Sequence, residues 1–323
     1  MTVIVTGAAG FVGCFVAERL LGRGEQVIGV DDFNAYYEVA LKEARAARLG
    51  VHANFRMARL DIADAEAFTA LVRESGADRI VHLAAQAGVR YSLDNPFAYE
   101  RSNVRGHLSV LEACRHAPGG IKHLVYASSS SVYGDRTIDG PFREDDPADQ
   151  PVSLYAATKR ACELISASYS ALYGLKQSGL RFFTVYGPMG RPDMAYFSFT
   201  QKIVAGEPIA VFGEGRMARD FTYIDDIVDG VVGALDHPPE TGEARLFNIG
   251  DSRPVPLMRM IEVLEQAIGK TAEKRFLPMQ PGDVCATYAD ISRLNALTGY
   301  RPKVTLEEGL PRFVEWWRAF YGA

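Results

Sequence analysis

Short apolar runs and helical stripes alternate through the first half of the chain. The segments 2–6, 26–30, 54–58, 79–83 and 122–127 read as strands, while 11–21, 36–48, 64–75 and 96–116 carry helical periodicity. Strands that are apolar throughout, instead of at every second residue, are covered on both faces. The βαβα order therefore predicts an α/β fold built on a doubly wound parallel sheet.

A further helix is predicted over 155–173, with the apolar stripe Ala157, Ala161, Leu164, Ile165 and Leu172, followed by a strand over 180–185. The rhythm then loosens into shorter elements between Gly/Pro-rich loops at 187–193, 206–208, 213–216 and 278–283. A strand over 245–249 is expected to return to the sheet. The pattern divides the chain into 1–180, with returning segments near 222–250, and 181–323, which is mainly a smaller, partly interleaved α/β domain.

Composition narrows the classes. At 323 residues, 48% hydrophobic and 23% charged, the chain can bury a large core. A formal net charge of -5 gives no basic field for nucleic acid or an anionic membrane, although an anionic small substrate needs only a few local cations. No apolar run reaches membrane-spanning length, and the chain opens on a strand without a basic region, h-region or cleavage site. Cys14, Cys114, Cys162 and Cys285 lack CxxC spacing, and the six His lack zinc-type spacing, so buried thiols and no metal site are expected. The expected compartment is reducing and cytoplasmic.

Thr6-Gly7-Ala8-Ala9-Gly10-Phe11-Val12-Gly13 follows the first strand and opens the first helix. Glycines there permit a tight turn and close backbone approach to a pyrophosphate, and the helix N-terminus offers free N–H groups. The unit ends in Val30-Asp31-Asp32, about 20 residues beyond the glycines, where a ribose-binding acid belongs. Asp31 would accept from both ribose hydroxyls and repel a 2′-phosphate. With no Arg or Lys from Asp31 to Asn34, NAD is favoured over NADP. Asp32 and Asn34 extend this candidate cofactor site, and Leu83-Ala84-Ala85 follows the fourth strand. Asp61-Ile62 is a candidate adenine contact or, equally, the approach to an N-cap at Asp64. Asn103 is a cofactor-side candidate that could instead satisfy nearby backbone.

Tyr155 and Lys159 lie one helical turn apart, about 6 Å along the axis. No other tyrosine in the chain has lysine at i+4. An ammonium held near a phenol favours its ionised form, so such a pair can serve as a general base near neutral pH. The strand ending at Ala127 runs into Ser128-Ser129-Ser130-Ser131-Val132-Tyr133-Gly134. Those hydroxyls lie at the carboxyl end of a strand, where open α/β sheets bind ligands, although a polar turn has the same composition.

Glycine fingerprint, Asp31, strand-end serines and Tyr-x-x-x-Lys in this order resemble the extended short-chain dehydrogenase/reductase superfamily, over essentially the whole chain. The resemblance implies a Rossmann fold with 1–180 as the NAD-binding domain and 181–323 mainly as the substrate domain. It makes Tyr155 the acid/base, Ser129 its hydroxyl partner, and Lys159 the residue that supports Tyr155 and holds the nicotinamide ribose.

The second half narrows the resemblance. Arg181-Phe182-Phe183-Thr184-Val185-Tyr186-Gly187-Pro188, the following Met189-Gly190-Arg191-Pro192-Asp193-Met194, Gly213 to Phe221, and Gln280-Pro281-Gly282-Asp283 are similar to the UDP-glucuronate 4-epimerases. So is Val89-Arg90-Tyr91-Ser92-Leu93-Asp94-Asn95-Pro96. By that resemblance a UDP-sugar is the substrate, Arg219 binds its diphosphate and Asp283 its uridine ribose. Arg90, Ser129, Ser130, Ser131, Tyr155, Thr184 and Arg191 complete the substrate set. The plainer readings are a surface ion pair for Arg219, a turn residue for Asp283, and an N-cap or surface role for Arg191.

Related families start with the same oxidation at C4. Nucleotide-sugar 4,6-dehydratases typically carry an Asp-Glu pair where Ser130 and Ser131 stand, and UDP-xylose-forming decarboxylases a Glu at Ser131. UDP-galactose 4-epimerases usually have Asn in place of Thr184, whereas Thr184 and Arg191 suit a carboxylate. In the implied reaction Tyr155 takes the C4 hydroxyl proton as hydride leaves C4, the 4-keto sugar turns over, and both return with C4 inverted. That intermediate is a β-keto acid. Thr184, Arg191 and the Ser129-Ser130 pair are expected to hold its carboxylate out of alignment with the carbonyl π system and so prevent decarboxylation. UDP-glucose/UDP-galactose 4-epimerisation and UDP-glucuronate decarboxylation remain the enzymatic alternatives, with a non-catalytic dinucleotide sensor as a remote one. The family dimerises through helices corresponding to 96–116 and 155–173, which implies a homodimer.

Overall fold

The computed structural model describes residues 1–135, 140–279 and 286–322. Its first six strands are β1 (Thr2–Thr6), β2 (Gln26–Asp31), β3 (Phe55–Arg59), β4 (Arg79–His82), β5 (His123–Ser129) and β6 (Gln177–Phe182). They are followed by β7 (Thr184–Tyr186), β8 (Ile209–Phe212), β9 (Ala218–Tyr223) and β10 (Ala244–Ile249). A seven-stranded sheet runs in the order β10-β6-β5-β4-β1-β2-β3, and every pair in it is parallel. The expected return of the chain near residue 245 is thus β10, paired with β6 at the edge.

Both faces of the sheet's centre are buried, and successive residues show it. Val3 and Val5 join one apolar cluster with Cys14, Ala17 and Leu20 of α1 (Phe11–Gly22). Ile4 between them joins a second cluster with Phe68 and Val72 of the Ala65–Ser75 helix. A period of two sends alternate side chains to opposite faces, so β1 and β2 are apolar through their middles, whereas the edge strand β3 exposes Arg56 and Arg59 and β6 buries Gln177, Ser178 and Arg181 in hydrogen bonds. Beyond β10 come β11 (Pro254–Pro256), β12 (Lys274–Leu277) and β13 (Ala286–Thr287). β9 carries β11, β13 and β7 in one small sheet, and β8 pairs with β12 in another.

Three expectations need correction. The apolar run over 180–185 is two strands, because β6 stops at Phe182 and β7 starts at Thr184 in a different sheet. Phe183 between them still donates its N–H to the Ile249 carbonyl at 3.0 Å. An unbroken apolar run reports burial and is blind to a change of partner. The helix expected from residue 36 begins at Val39, since Tyr36 and Tyr37 are spent in the preceding turn. The segment over 96–116 is helical but changes pitch, with π-helical geometry at Glu100–Arg105 between Pro96–Tyr99 and Gly106–Arg115. Among the described residues no helix is long and apolar enough to cross a membrane.

Candidate active site

Strand order reverses between β1 and β4, and a cleft opens at the carboxyl ends of the central strands, where such sheets bind ligands. Its floor is the turn after β1. Gly7 donates its N–H to the Val30 carbonyl at 2.7 Å, and Gly10 donates back to Gly7 at 2.9 Å. Gly7 has φ of +71°, and a Cβ on it would lie 2.8 Å from the Ala84 nitrogen. At Gly13 a Cβ would lie 2.0 Å from the Gly7 carbonyl oxygen. Helix α1 starts from Gly10 without a capping side chain, so the first-turn N–H groups of Phe11, Val12 and Gly13 are left for an anion at the cleft. This cradle fits a dinucleotide pyrophosphate.

Asp31 closes β2 at the ribose end. Its Oδ2 accepts the Ala9 N–H at 3.1 Å and its Oδ1 the Phe33 N–H at 2.9 Å. Burial pushes its carboxyl up, against the pull of Lys42 and the Phe33 N–H. Asp32 accepts from the Asn34 backbone at 3.0 Å and from its amide, which sets the turn. Asp61 accepts the Ala63 N–H at 2.8 Å and pairs with Arg101, while Asp64 caps the next helix. Asp61, Ile62, Leu83, Ala84 and Ala85 all line the cleft.

Asn103 does not line it. Its amide accepts the Gln86 N–H and donates to the Gln86 carbonyl and to Thr158 Oγ1, so it props the chain leaving β4 against the Leu154–Tyr173 helix. The π-helical turn carries that residue.

At the reaction end, Ser153 caps the Leu154–Tyr173 helix by accepting the Ala156 N–H at 3.1 Å, which sets Tyr155 in the first turn at the cleft wall. Lys159 is buried and donates to the Ala127 carbonyl at 2.8 Å. Ser129, at the end of β5, lines the same cleft, and its Oγ accepts from the N–H and hydroxyl of Ser131. Ser130 and Ser131 lie in the 3-10 turn behind Ser129, outside the lining. Ser128 donates at 2.6 Å to Glu163, whose carboxylate is clasped by Arg181 from both oxygens.

Arg191 lines the cleft with Tyr155, and its guanidinium is paired with Asp193. Thr184 sits in β7 opposite Phe221, and only its neighbours Phe183 and Val185 line the cleft. Arg90 and Arg219 are not among the residues that line the cleft, and each contacts a residue at or beside the end of β8. Arg90 stands 4.8 Å over the Phe212 ring, and Arg219 contacts Met217, which flanks Gly213. Asp283 lies outside the described residues.

The model of the NAD dependent epimerase/dehydratase family matches residues 3–250. The chain belongs to this family. It is 45% identical to a probable UDP-glucuronate 4-epimerase of Rhizobium meliloti, over 99% of this chain and 98% of that protein. It is 46% identical to UDP-glucuronate 4-epimerase 4 of Arabidopsis thaliana, over 99% of this chain and 76% of that longer protein. Among solved structures, the UDP-glucuronic acid 4-epimerase of Bacillus cereus, in complex with UDP-glucuronic acid and NAD, superposes with a TM-score of 0.92 at 35% identity. That match spans 99% of this chain and 100% of that one.

Two residues that line this family member's cleft, Lys42 and Tyr36, and one buried behind it, Arg45, escape the sequence pattern. Lys42, on Val39–Gly50, brings its Nζ to 3.7 Å from Asp31 and 3.9 Å from Asp32. Arg45, one turn further on, is fully buried and donates to the carbonyls of Ala9, Met189 and Gly190. It thereby ties the glycine turn to the loop that bears Arg191. Tyr36 reaches across the cleft mouth to Asp193. The only advance signal was a basic pair spaced one turn apart on a helix, which alone reads as solvated surface.

Proposed function

We propose that the chain is an NAD-dependent UDP-glucuronate 4-epimerase, an isomerase that converts UDP-glucuronate to UDP-galacturonate through a transient 4-keto sugar. The observation that carries this reading is the sharing of one cleft by Tyr155 and Arg191, a proton acceptor and a carboxylate partner, above a glycine cradle. The relatives that act on UDP-glucuronate, and the neighbour bound to UDP-glucuronic acid and NAD, support it.

When bound, NAD supplies the acceptor and donor of hydride at C4. Gly7, Gly10, Phe11, Val12 and Gly13 hold its pyrophosphate. Asp31, with Asp32 and Asn34, takes the adenosine ribose, and Asp61 and Ile62 flank the adenine. Tyr155 removes the C4 hydroxyl proton and later returns it to the opposite face. Ser129 hydrogen-bonds the C4 oxygen, and Lys159 braces Tyr155 from the Ala127 carbonyl. Arg191 pairs with the C6 carboxylate, which a bidentate guanidinium recognises better than a hydroxymethyl group. Arg90 and Arg219 serve the nucleotide diphosphate, with Asp283 on the uridine side.

The division into an NAD-binding part and a substrate part belongs to the same proposal, as does a homodimer. Phe97, Leu164 and Leu172 are exposed at 81%, 56% and 68% on the two helical segments the family uses for pairing, and a second copy would cover them. A reducing, cytoplasmic setting agrees with three free buried thiols, Cys14, Cys114 and Cys162. Purified protein should convert UDP-glucuronate to UDP-galacturonate without added reductant and without accumulating NADH. Product NMR that shows a UDP-pentose, or turnover of UDP-glucose alone, would replace this reading with one of its neighbours.

A further inference from the structure

Arg191 is not presented to the cleft alone. Its Nε donates to Asp193 Oδ1 at 2.9 Å and its Nη2 to Oδ2, and the Tyr36 hydroxyl donates to the same Oδ2 at 3.2 Å. The two charged side chains are only 25% and 26% exposed, so this is no freely hydrated surface pair. Against the upward push of burial, Arg191 holds the Asp193 carboxyl below its ordinary value. Room for the Tyr36 contact depends on Gly88. A Cβ there would stand 2.5 Å from the Tyr36 hydroxyl oxygen, and its φ is +98°. The loop beneath is pinned as well, since Arg45 donates to the Met189 and Gly190 carbonyls immediately before Arg191.

A guanidinium is a planar fork of five N–H donors. Asp193 occupies the Nε/Nη2 edge, so the Nη1/Nη2 edge is the one that remains for a second carboxylate, and its direction is fixed. We propose that Asp193 and Tyr36 are positioning residues that determine specificity: they aim the remaining edge of Arg191 so that the cleft distinguishes a C6 carboxylate from a C6 hydroxymethyl group. This rests on the reading of Arg191 as the carboxylate partner. Two effects compete at Asp193. Its negative charge weakens attraction for an anionic sugar, and its grip supplies the alignment on which two-pronged recognition depends. The anchoring of the pair from Tyr36, Gly88 and Arg45 favours alignment as the larger effect.

The test is calorimetric titration of the NAD-loaded protein with UDP-glucuronate and with UDP-glucose, in a Tyr155→Phe background that blocks turnover. Asp193→Asn should lower the ratio of the two affinities by about tenfold and Tyr36→Phe by about threefold, with UDP-glucose binding unchanged. Arg191→Ala should abolish the preference altogether. An unchanged or larger ratio in Asp193→Asn, with the preference still lost in Arg191→Ala, overturns the positioning role and leaves Arg191 as the carboxylate partner. A preference that survives Arg191→Ala overturns the underlying reading of Arg191, and the positioning role falls with it. Should Asp193→Asn fail to fold, Tyr36→Phe removes one hydroxyl and decides the question in the same way.

Discussion

Lys159 donates its Nζ hydrogen bond to the carbonyl of Ala127, two residues before Ser129, and so joins the helix of Tyr155 to the strand end of the serines. A cation fixed at both ends keeps its position while the sugar turns. Lys159→Met should lower kcat by about 10²- to 10⁴-fold, with circular dichroism showing an intact fold. Tyr155→Phe should match that loss, and activity within a few-fold of the parent in either variant would remove the pair from the reaction.

Gly13→Ala places a methyl group 2.0 Å from the Gly7 carbonyl oxygen. Backbone on backbone cannot yield as a flexible side chain can, so the cost should be at least about 1–3 kcal/mol in stability. The cradle should open with it. Chromatographic release of nucleotide from the purified variant should recover much less NAD than from the parent.

Glu163 lies under the active-site serines with both oxygens on Arg181, and the two side chains are 1% and 2% exposed. Against the upward push of burial, the Arg181 guanidinium holds the Glu163 carboxyl below its ordinary value. Glu163→Gln strands a buried cation and should cost about 3–5 kcal/mol by urea denaturation. It should also lower turnover, because Ser128 loses its carboxylate acceptor.

His82 and His107 stack at 5.3 Å behind the cleft, bonded to Thr6 and Ser166. Burial, reinforced by the Lys159 charge, drives His107 down to about 3, and burial, with His107 and the Lys159 charge beside it, drives His82 well below 6.5. The unfolded chain takes up these protons near pH 6.5 and the folded chain does not. Their contribution to stability is therefore whole above that pH and is lost as the pH falls toward 3. Each neutral histidine should cost up to about 1.4 kcal/mol per pH unit in that window. His107→Gln should flatten the acid limb of stability against pH by about one histidine's share, and parallel limbs would count against it.

Arg191→Ala should also let the 4-keto intermediate lose its carboxylate, which appears as carbon dioxide and a UDP-4-ketopentose. Clean but slower epimerisation would mean that another group guards the C5–C6 bond.

Much of this was legible in sequence because the central parallel strands are buried on two faces and apolar through their middles; β6 marks the limit, since its buried Gln177, Ser178 and Arg181 interrupt the apolar run and hide where the strand begins. The glycine turn, Asp31 and the Tyr155-Lys159 pair were equally plain, since each is local in the chain. What stayed hidden depends on contacts between distant segments. Lys42 reaches Asp31 only because the Val39–Gly50 helix packs back against α1 and β3, and the Tyr36–Asp193 bond spans two loops far apart in sequence. Asp220 is the sharpest case. It sits in the Arg219-Asp220-Phe221 motif beside the diphosphate candidate Arg219, yet its carboxylate accepts the N–H groups of Asp251, Ser252 and Ala289 and the Thr222 hydroxyl. Its work is to knit β9 to the chain after β10.

The handover at Phe183 has a mechanical meaning. One residue separates a strand of the large sheet from a strand of the small one, and Phe182, Phe183 and Val185 are all part of the cleft wall. A link that short has no slack, so the two sheets cannot swing apart there as they could on a flexible tether. The gauge of the chamber is set by the strands themselves. In the proposed reaction the sugar, held by its diphosphate, does the turning inside walls that keep their spacing.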